Sequence, residues 1–177
     1  MKKRFFYSVI TYFITMVSAC LVNLAVSAMA VKIVNLFIVV DYFSAAIVRA
    51  VMAFVVISGV VGAMSYYESR KSAEFHPVSL SLAVALGGIA HLIISVPLMF
   101  YPFIAGGTRY LAGLMDMGSG FDSADNVKYI YLWTYLAAFG IYLVCEIISA
   151  LVCGYLGKKN RENLRKELGI DKKKEEI

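Results

Sequence analysis

Val78–Phe103 reads VSLSLAVALGGIAHLIISVPLMFYPF and contains no Asp, Glu, Lys or Arg. A bilayer core of about 30 Å needs roughly 20 apolar residues at ~1.5 Å per helical residue, so a run of this length and purity reads as a transmembrane helix. Three further blocks are also long and mainly apolar: Phe5–Ala30, Ser44–Tyr67, interrupted by Arg49, and Val127–Leu156, interrupted by Lys128 and Glu146. The chain has 177 residues, 60% of them hydrophobic, and the excess lies in these blocks. We therefore expect an all-α, polytopic membrane four-helix bundle in one domain, with spans near 5–30, 44–67, 78–103 and 127–156. Residues 158–177 form a basic tail that can continue as a helix.

Net charge is +5, but the basic residues sit at the ends of the blocks, which argues for orientation in a membrane rather than for direct nucleic-acid binding. Lys2, Lys3 and Arg4, then Arg70 and Lys71, then eight Lys and Arg between Lys158 and Lys174 fall on one side, thirteen of the 17. Cytoplasmic segments carry the Lys/Arg excess, so both chain ends and the Glu68–His76 loop are expected inside. Lys2-Lys3-Arg4 with Ala28-Met29-Ala30 also resembles a signal peptide. The apolar run is longer than the ~7–15 residues of a signal core, which favours a retained first helix.

Ala19, Cys20, Asn23 and Ser27 share one face of the first helix, and Ser58/Gly62 and Gly59/Ala63 make small-xxx-small pairs in the second. Such stripes mark close helix–helix contact within the bundle or between copies, so a homo-oligomer is a natural expectation. Val31–Phe43 is apolar but interrupted by Lys32, Asn35 and Asp41, and reads as an interfacial connector. Pro77 suits a helix start. Pro97 should bend the third helix near its outer end. The glycine-rich segment Ile104–Asn126 reads as a mobile outer loop or a cap on the bundle, with Asp122 or Asp125 available to cap the fourth helix.

Three ionisable side chains fall at membrane depth: Arg49, His91 and Glu146. Each costs ~2.5–3.5 kcal/mol if charged at a helix centre and so begins as a functional candidate. Asn23 joins them as an intramembrane polar group. By helical rise, His91 lies roughly 20 Å and Glu146 roughly 15 Å from the inner boundary, on antiparallel neighbours. The two can pair, either to carry a proton or cation or to fix helix register by a buried hydrogen bond. Arg49 is near enough to the outer surface to snorkel and to meet Asp41. Cys20, Cys145 and Cys153 are read as packing residues, since no C-x-x-C occurs. No G-x-S-x-G, H-E-x-x-H, P-loop or G-x-G-x-x-G is present, so we expect no enzyme, metal or cofactor.

Residues 60–168 carry a further pattern. Gly62-Ala63 precedes Glu68, His91-Leu92-Ile93-Ile94 runs to Pro97, and Phe139, Tyr142, Glu146 and Tyr155 lead to Lys158-Lys159-Asn160 and Asn163-Leu164. This pattern resembles the bacterial four-span family called domain of unknown function 3021. Two positions depart from it: Tyr67 and Glu146 stand where that family commonly has Trp. The resemblance implies a bacterial plasma-membrane protein that binds and restrains a cytoplasmic DNA-binding regulator of the LytTR type. It would do so through Glu68, Arg70 and Lys71 of the inner loop and Lys158, Lys159, Arg161, Leu164, Arg165 and Leu168 of the tail. The alternative is a small proton- or cation-linked transport or channel protein, or an accessory subunit of a membrane complex, using His91 and Glu146.

Overall fold

A computed structural model describes residues 2–72, 75–99, 101–116, 121–123, 126–127 and 130–168. Six helices follow in order: α1 (Lys2–Asn35), α2 (Tyr42–Lys71), α3 (Pro77–Ser95), α4 (Pro102–Ala105), α5 (Thr108–Met115) and α6 (Leu132–Glu167). Between α5 and α6 lie two short strands, β1 (Phe121–Ser123) and β2 (Asn126–Val127), paired antiparallel. Four helices, α1, α2, α3 and α6, are long and apolar enough to cross a membrane. Their outward faces carry Ile10, Ile14, Val55, Ile93, Ile148 and Val152, all exposed. The core mixes small groups, Ala19, Ala53, Ala83 and Ala138, and the polar Asn23 and Ser65 with large side chains such as Tyr12, Met16, Leu80 and Tyr135. Small residues within the bundle let helices approach closely where lipid replaces water and packing replaces the hydrophobic drive between helices.

The most extensive packing is between α2 and α6; α1 lies against α2 and α3, and α3 against α6. Glycines set the closest approaches. A Cβ on Gly62 would lie 2.5 Å from Ser149 Oγ, and one on Gly88 would lie 2.3 Å from Leu143 Cδ1. Ser149 Oγ also donates to the Ser58 carbonyl at 2.7 Å. The Ser58/Gly62 pair is thus the helix contact its spacing predicts. The Gly59/Ala63 pair is not: Gly59 has nothing within 4 Å of where its Cβ would sit. The Ala19, Cys20, Asn23 and Ser27 face is buried, as its stripe predicts.

Several boundaries differ from those expected. Val31–Asn35 does not leave the helix; α1 runs on to Asn35, whose Oδ1 accepts from Val40 N at 3.1 Å and closes a short turn. Asp41 then caps α2, accepting from Ser44 N at 2.7 Å. The third helix stops at Ser95 rather than reaching residue 103. Pro97 cannot donate to the helix and crowds the residue before it, and the chain passes into tight turns in which Leu98 N bonds Ser95 O and Met99 N bonds Val96 O. The fourth span begins at Leu132, not residue 127, because Asn126–Val127 is taken up in β2. Its N-cap is Tyr131 with no side-chain cap; Asp122 lies in β1, and Asp125 falls outside the described residues. Thr134 Oγ1 instead donates to Asp116 Oδ2 at 3.1 Å and ties the start of α6 to the end of α5.

The segment after α3 turns back into the bundle. Ala105 through Tyr110 are all buried. A Cβ on Gly106, whose φ is +53°, would lie 2.9 Å from Cys20 Sγ of α1, and one on Gly107 would lie 1.9 Å from Ala53 Cβ of α2. Cys20 and Ala53 are each about 21–22 Å along their helices from the basic end, so this plug reaches well inside the bundle. Irregular backbone at that depth is tolerated only where protein covers it, as here. The loop is therefore a packed cap rather than a mobile one along α4 and α5. The alanines of α2, Ala45, Ala46, Ala50 and Ala53, make room for it.

Candidate functional site

Two places gather the polar groups. The first is a cavity of about 10 Å³ in the middle of the bundle. Its wall is formed by Met16 and Cys20 of α1, Ile57 of α2, His91 of α3, Thr108 of α5, and Phe139, Tyr142, Leu143 and Glu146 of α6. His91 and Glu146, expected to approach one another from depth alone, do line one space. They are not directly hydrogen-bonded. His91 Nε2 lies 3.0 Å from the Ile104 carbonyl, which can only accept, so Nε2 carries the hydrogen. The ring meets Phe139 edge-on at 5.8 Å. Tyr142 Oη donates to the Ala50 carbonyl at 2.6 Å, joining α6 to α2 beside the cavity. Glu146 is only 6% exposed, and no group among the described residues hydrogen-bonds its carboxyl. The volume holds about one water molecule.

Above the cavity, toward the β1–β2 end, two arginines turn inward. Arg49 does not snorkel to the surface: it is buried, with its guanidinium 5.4 Å from the centre of the Tyr110 ring. The plug helix α5 covers the route outward, and Asp41 is engaged at the α2 cap. Arg109, which the sequence reading left in an outer loop, is 2% exposed and lies 5.2 Å from the same ring. Both arginines thus use one aromatic face system for part of their solvation. Asn23 is buried on α1 with its Oδ1 unmatched among the described residues. Among those residues no three His, Cys, Asp or Glu side chains converge as for a metal ion.

The second place is the basic end of the bundle. Helix α6 has 36 residues and is about 54 Å long, so its last three turns pass beyond the apolar block that ends at Leu156. This extension is braced. Gly157 sits against the backbone of Tyr66, where a Cβ would lie 2.3 Å from the carbonyl oxygen. Asn160 Nδ2 donates to Tyr66 Oη. Arg161 Nη1 donates to Ser69 O at 2.9 Å and to Ser72 O, thereby satisfying carbonyls at the C-terminus of α2. Glu68 is half-buried and accepts from Tyr12 Oη at 3.3 Å; that hydroxyl is also 2.8 Å from Ser65 Oγ. Arg161 and Glu68, expected on a partner-binding surface, are thus held by the bundle itself. Arg70, Lys71, Lys159 and Arg165 are exposed, Lys71 lying 5.8 Å over the Tyr67 ring. Lys158 is 4.0 Å from Glu162, Leu164 is half-buried, and Leu168 is exposed just past the helix end. His76 serves as the N-cap of α3, its Nδ1 accepting from Val78 N at 3.4 Å. The final part of the tail, 169–177, lies outside the described residues.

The fold and its buried polar centre define a multi-pass helical membrane protein. Searches against protein-family models, curated proteins and solved structures find no match for the chain.

Proposed function

We propose that this is a non-enzymatic regulatory protein of a bacterial plasma membrane that holds a soluble DNA-binding regulator, of the LytTR type, at its cytoplasmic face. Both ends and the α2–α3 link lie inside, as the Lys/Arg bias requires. The observation that carries the reading is the braced extension of α6. A helix end left to fray would present no fixed surface, whereas Gly157 and Arg161 fix this one to α2. The exposed charges Arg70, Lys71, Lys159 and Arg165 then form a rigid basic platform suited to an acidic protein surface, with Leu164 and Leu168 as apolar contacts. The choice of a LytTR-type regulator as partner comes from the likeness noted in the sequence and rests on the residues quoted for it.

The test is co-purification from native membranes in mild detergent. Deleting residues 162–177, or the double substitution Lys159→Glu with Arg165→Glu, should release a cytoplasmic regulator while membrane insertion persists. A wild-type chain that purifies without any regulator, or a regulator retained by both variants, would end the proposal.

A second reading has its own observation, the shared cavity of His91 and Glu146. It makes the chain a small proton- or cation-linked transport protein or an accessory subunit of a membrane complex. It predicts pH-dependent flux in liposomes that is lost in His91→Ala and Glu146→Ala.

A further inference from the structure

The carboxyl of Glu146 is the group in the bundle whose surroundings most need explaining. Burying a polar group without a partner costs ~1–3 kcal/mol, and a charged one far more. Among the described residues nothing bonds it, yet it faces a space the size of one water molecule. Across that space stands His91. Its Nε2 hydrogen is committed to the Ile104 carbonyl, so in the neutral ring Nδ1 is an acceptor, and it has no partner among the described residues. Thr108 brings a hydroxyl to the same wall from the plug.

We propose that Glu146 and His91, joined by one water molecule, form a binding site for a single exchangeable proton in the middle of the bundle. With the proton bound, the pair is neutral overall, as a carboxylic acid beside imidazole or as carboxylate beside imidazolium. With the proton gone, one negative charge remains on Glu146. The proton moves along the water between carboxyl oxygen and Nδ1, with no change in covalent structure elsewhere. Among the described side chains, α1 contributes Cys20, α2 Ile57, α5 Thr108 and α6 Tyr142, and α4 contributes its Ile104 carbonyl. The charges of α2 and α5, Arg49 and Arg109, are turned onto Tyr110. The site deepens the transport reading without requiring flux. Proton binding with no flux would remove transport and leave the site.

Infrared difference spectroscopy of the full chain in liposomes, titrated with pH in H2O and D2O, tests this. The wild type should show a pH-sensitive carboxylic C=O band that shifts on deuteration. Glu146→Gln should remove that band and Glu146→Asp should move its frequency, the latter covering the case in which the glutamine variant fails to fold. His91→Gln removes the acceptor of the shared proton and should weaken proton affinity about tenfold, the equivalent of one hydrogen bond to a charged group. A band unmoved by His91→Gln would make Glu146 an isolated buried acid and overturn the shared site. Displacement of the proton by sodium at fixed pH would overturn it in favour of a metal cation.

Discussion

Replacing Gly157 with alanine places a methyl group 2.3 Å from the carbonyl oxygen of Tyr66, 3.0 Å from its carbonyl carbon and 3.1 Å from its Cα. All three obstacles are backbone, so no side chain can swing aside. Overpacking a tight contact costs about 1–3 kcal/mol, and a fixed obstacle puts this site near the upper figure. Alanine recovers about 1 kcal/mol of helix propensity. The expected net loss is about 2 kcal/mol, close to a thirtyfold change in the folding equilibrium. Gly140, on the same helix, is the matched control, because nothing lies within 4 Å of its Cβ position. Gly140→Ala should gain up to about 1 kcal/mol from propensity alone. Equilibrium unfolding in mixed SDS micelles measures the two side by side, and the gap between them should be about 3 kcal/mol. The loss in Gly157→Ala should be accompanied by faster proteolysis beyond Leu156, since the same contact braces the α6 extension. Equal stability of the two variants would refute the close α2–α6 approach at the basic end.

Arg161→Ala strips a guanidinium from two carbonyls at the end of α2 and should cost about 1–3 kcal/mol; Arg161→Lys should recover only part of it, since one ammonium cannot reproduce the fork. Protease cleavage rates near residue 72 report the difference. Tyr142→Phe loses its bond to the Ala50 carbonyl and should destabilise by about 1 kcal/mol in the same unfolding assay. Asp41 is held below the usual carboxylate range, first by the Ser44 side chain and then by the Ser44 backbone N–H. Its capping contribution is therefore complete above the ordinary aspartate value and is lost as pH falls through the lowered one. Wild type and Asp41→Ala should differ at neutral pH and converge in acid, and parallel curves across that range would remove Asp41 as the cap.

The four long helices were legible because lipid imposes a length and an apolarity that few other structures share. Their ends were harder to place. Asn35, not the change of composition at Val31, closes α1, and Pro97 stops α3 rather than bending it. That His91 and Glu146 line one space followed from depth and connectivity; a direct bond between them is not made. A cap was one of two readings open for Ile104–Asn126; the depth to which it plugs the bundle was not legible, because its burial depends on partners distant in sequence. A signal existed all the same in Ala46, Ala50 and Ala53, spaced for one face of α2 and too small to fill it. The burial of Arg109 and Arg49 depends on the same distant partners. At the basic end, Arg161 looked like one more surface charge. Only the proximity of the α2 terminus makes it a brace.

The basic platform can hold a cytoplasmic partner only if that end of the bundle faces the cytoplasm. Single cysteines at Lys3, Lys71, Lys159 and Phe37, in a chain whose Cys20, Cys145 and Cys153 are alanine, can be probed in intact cells with an impermeant maleimide. Position 37 alone should be labelled, with positions 3, 71 and 159 reacting only after the cells are opened. Labelling of 71 or 159 from outside would contradict it, and would leave the basic platform nothing in the cytoplasm to hold.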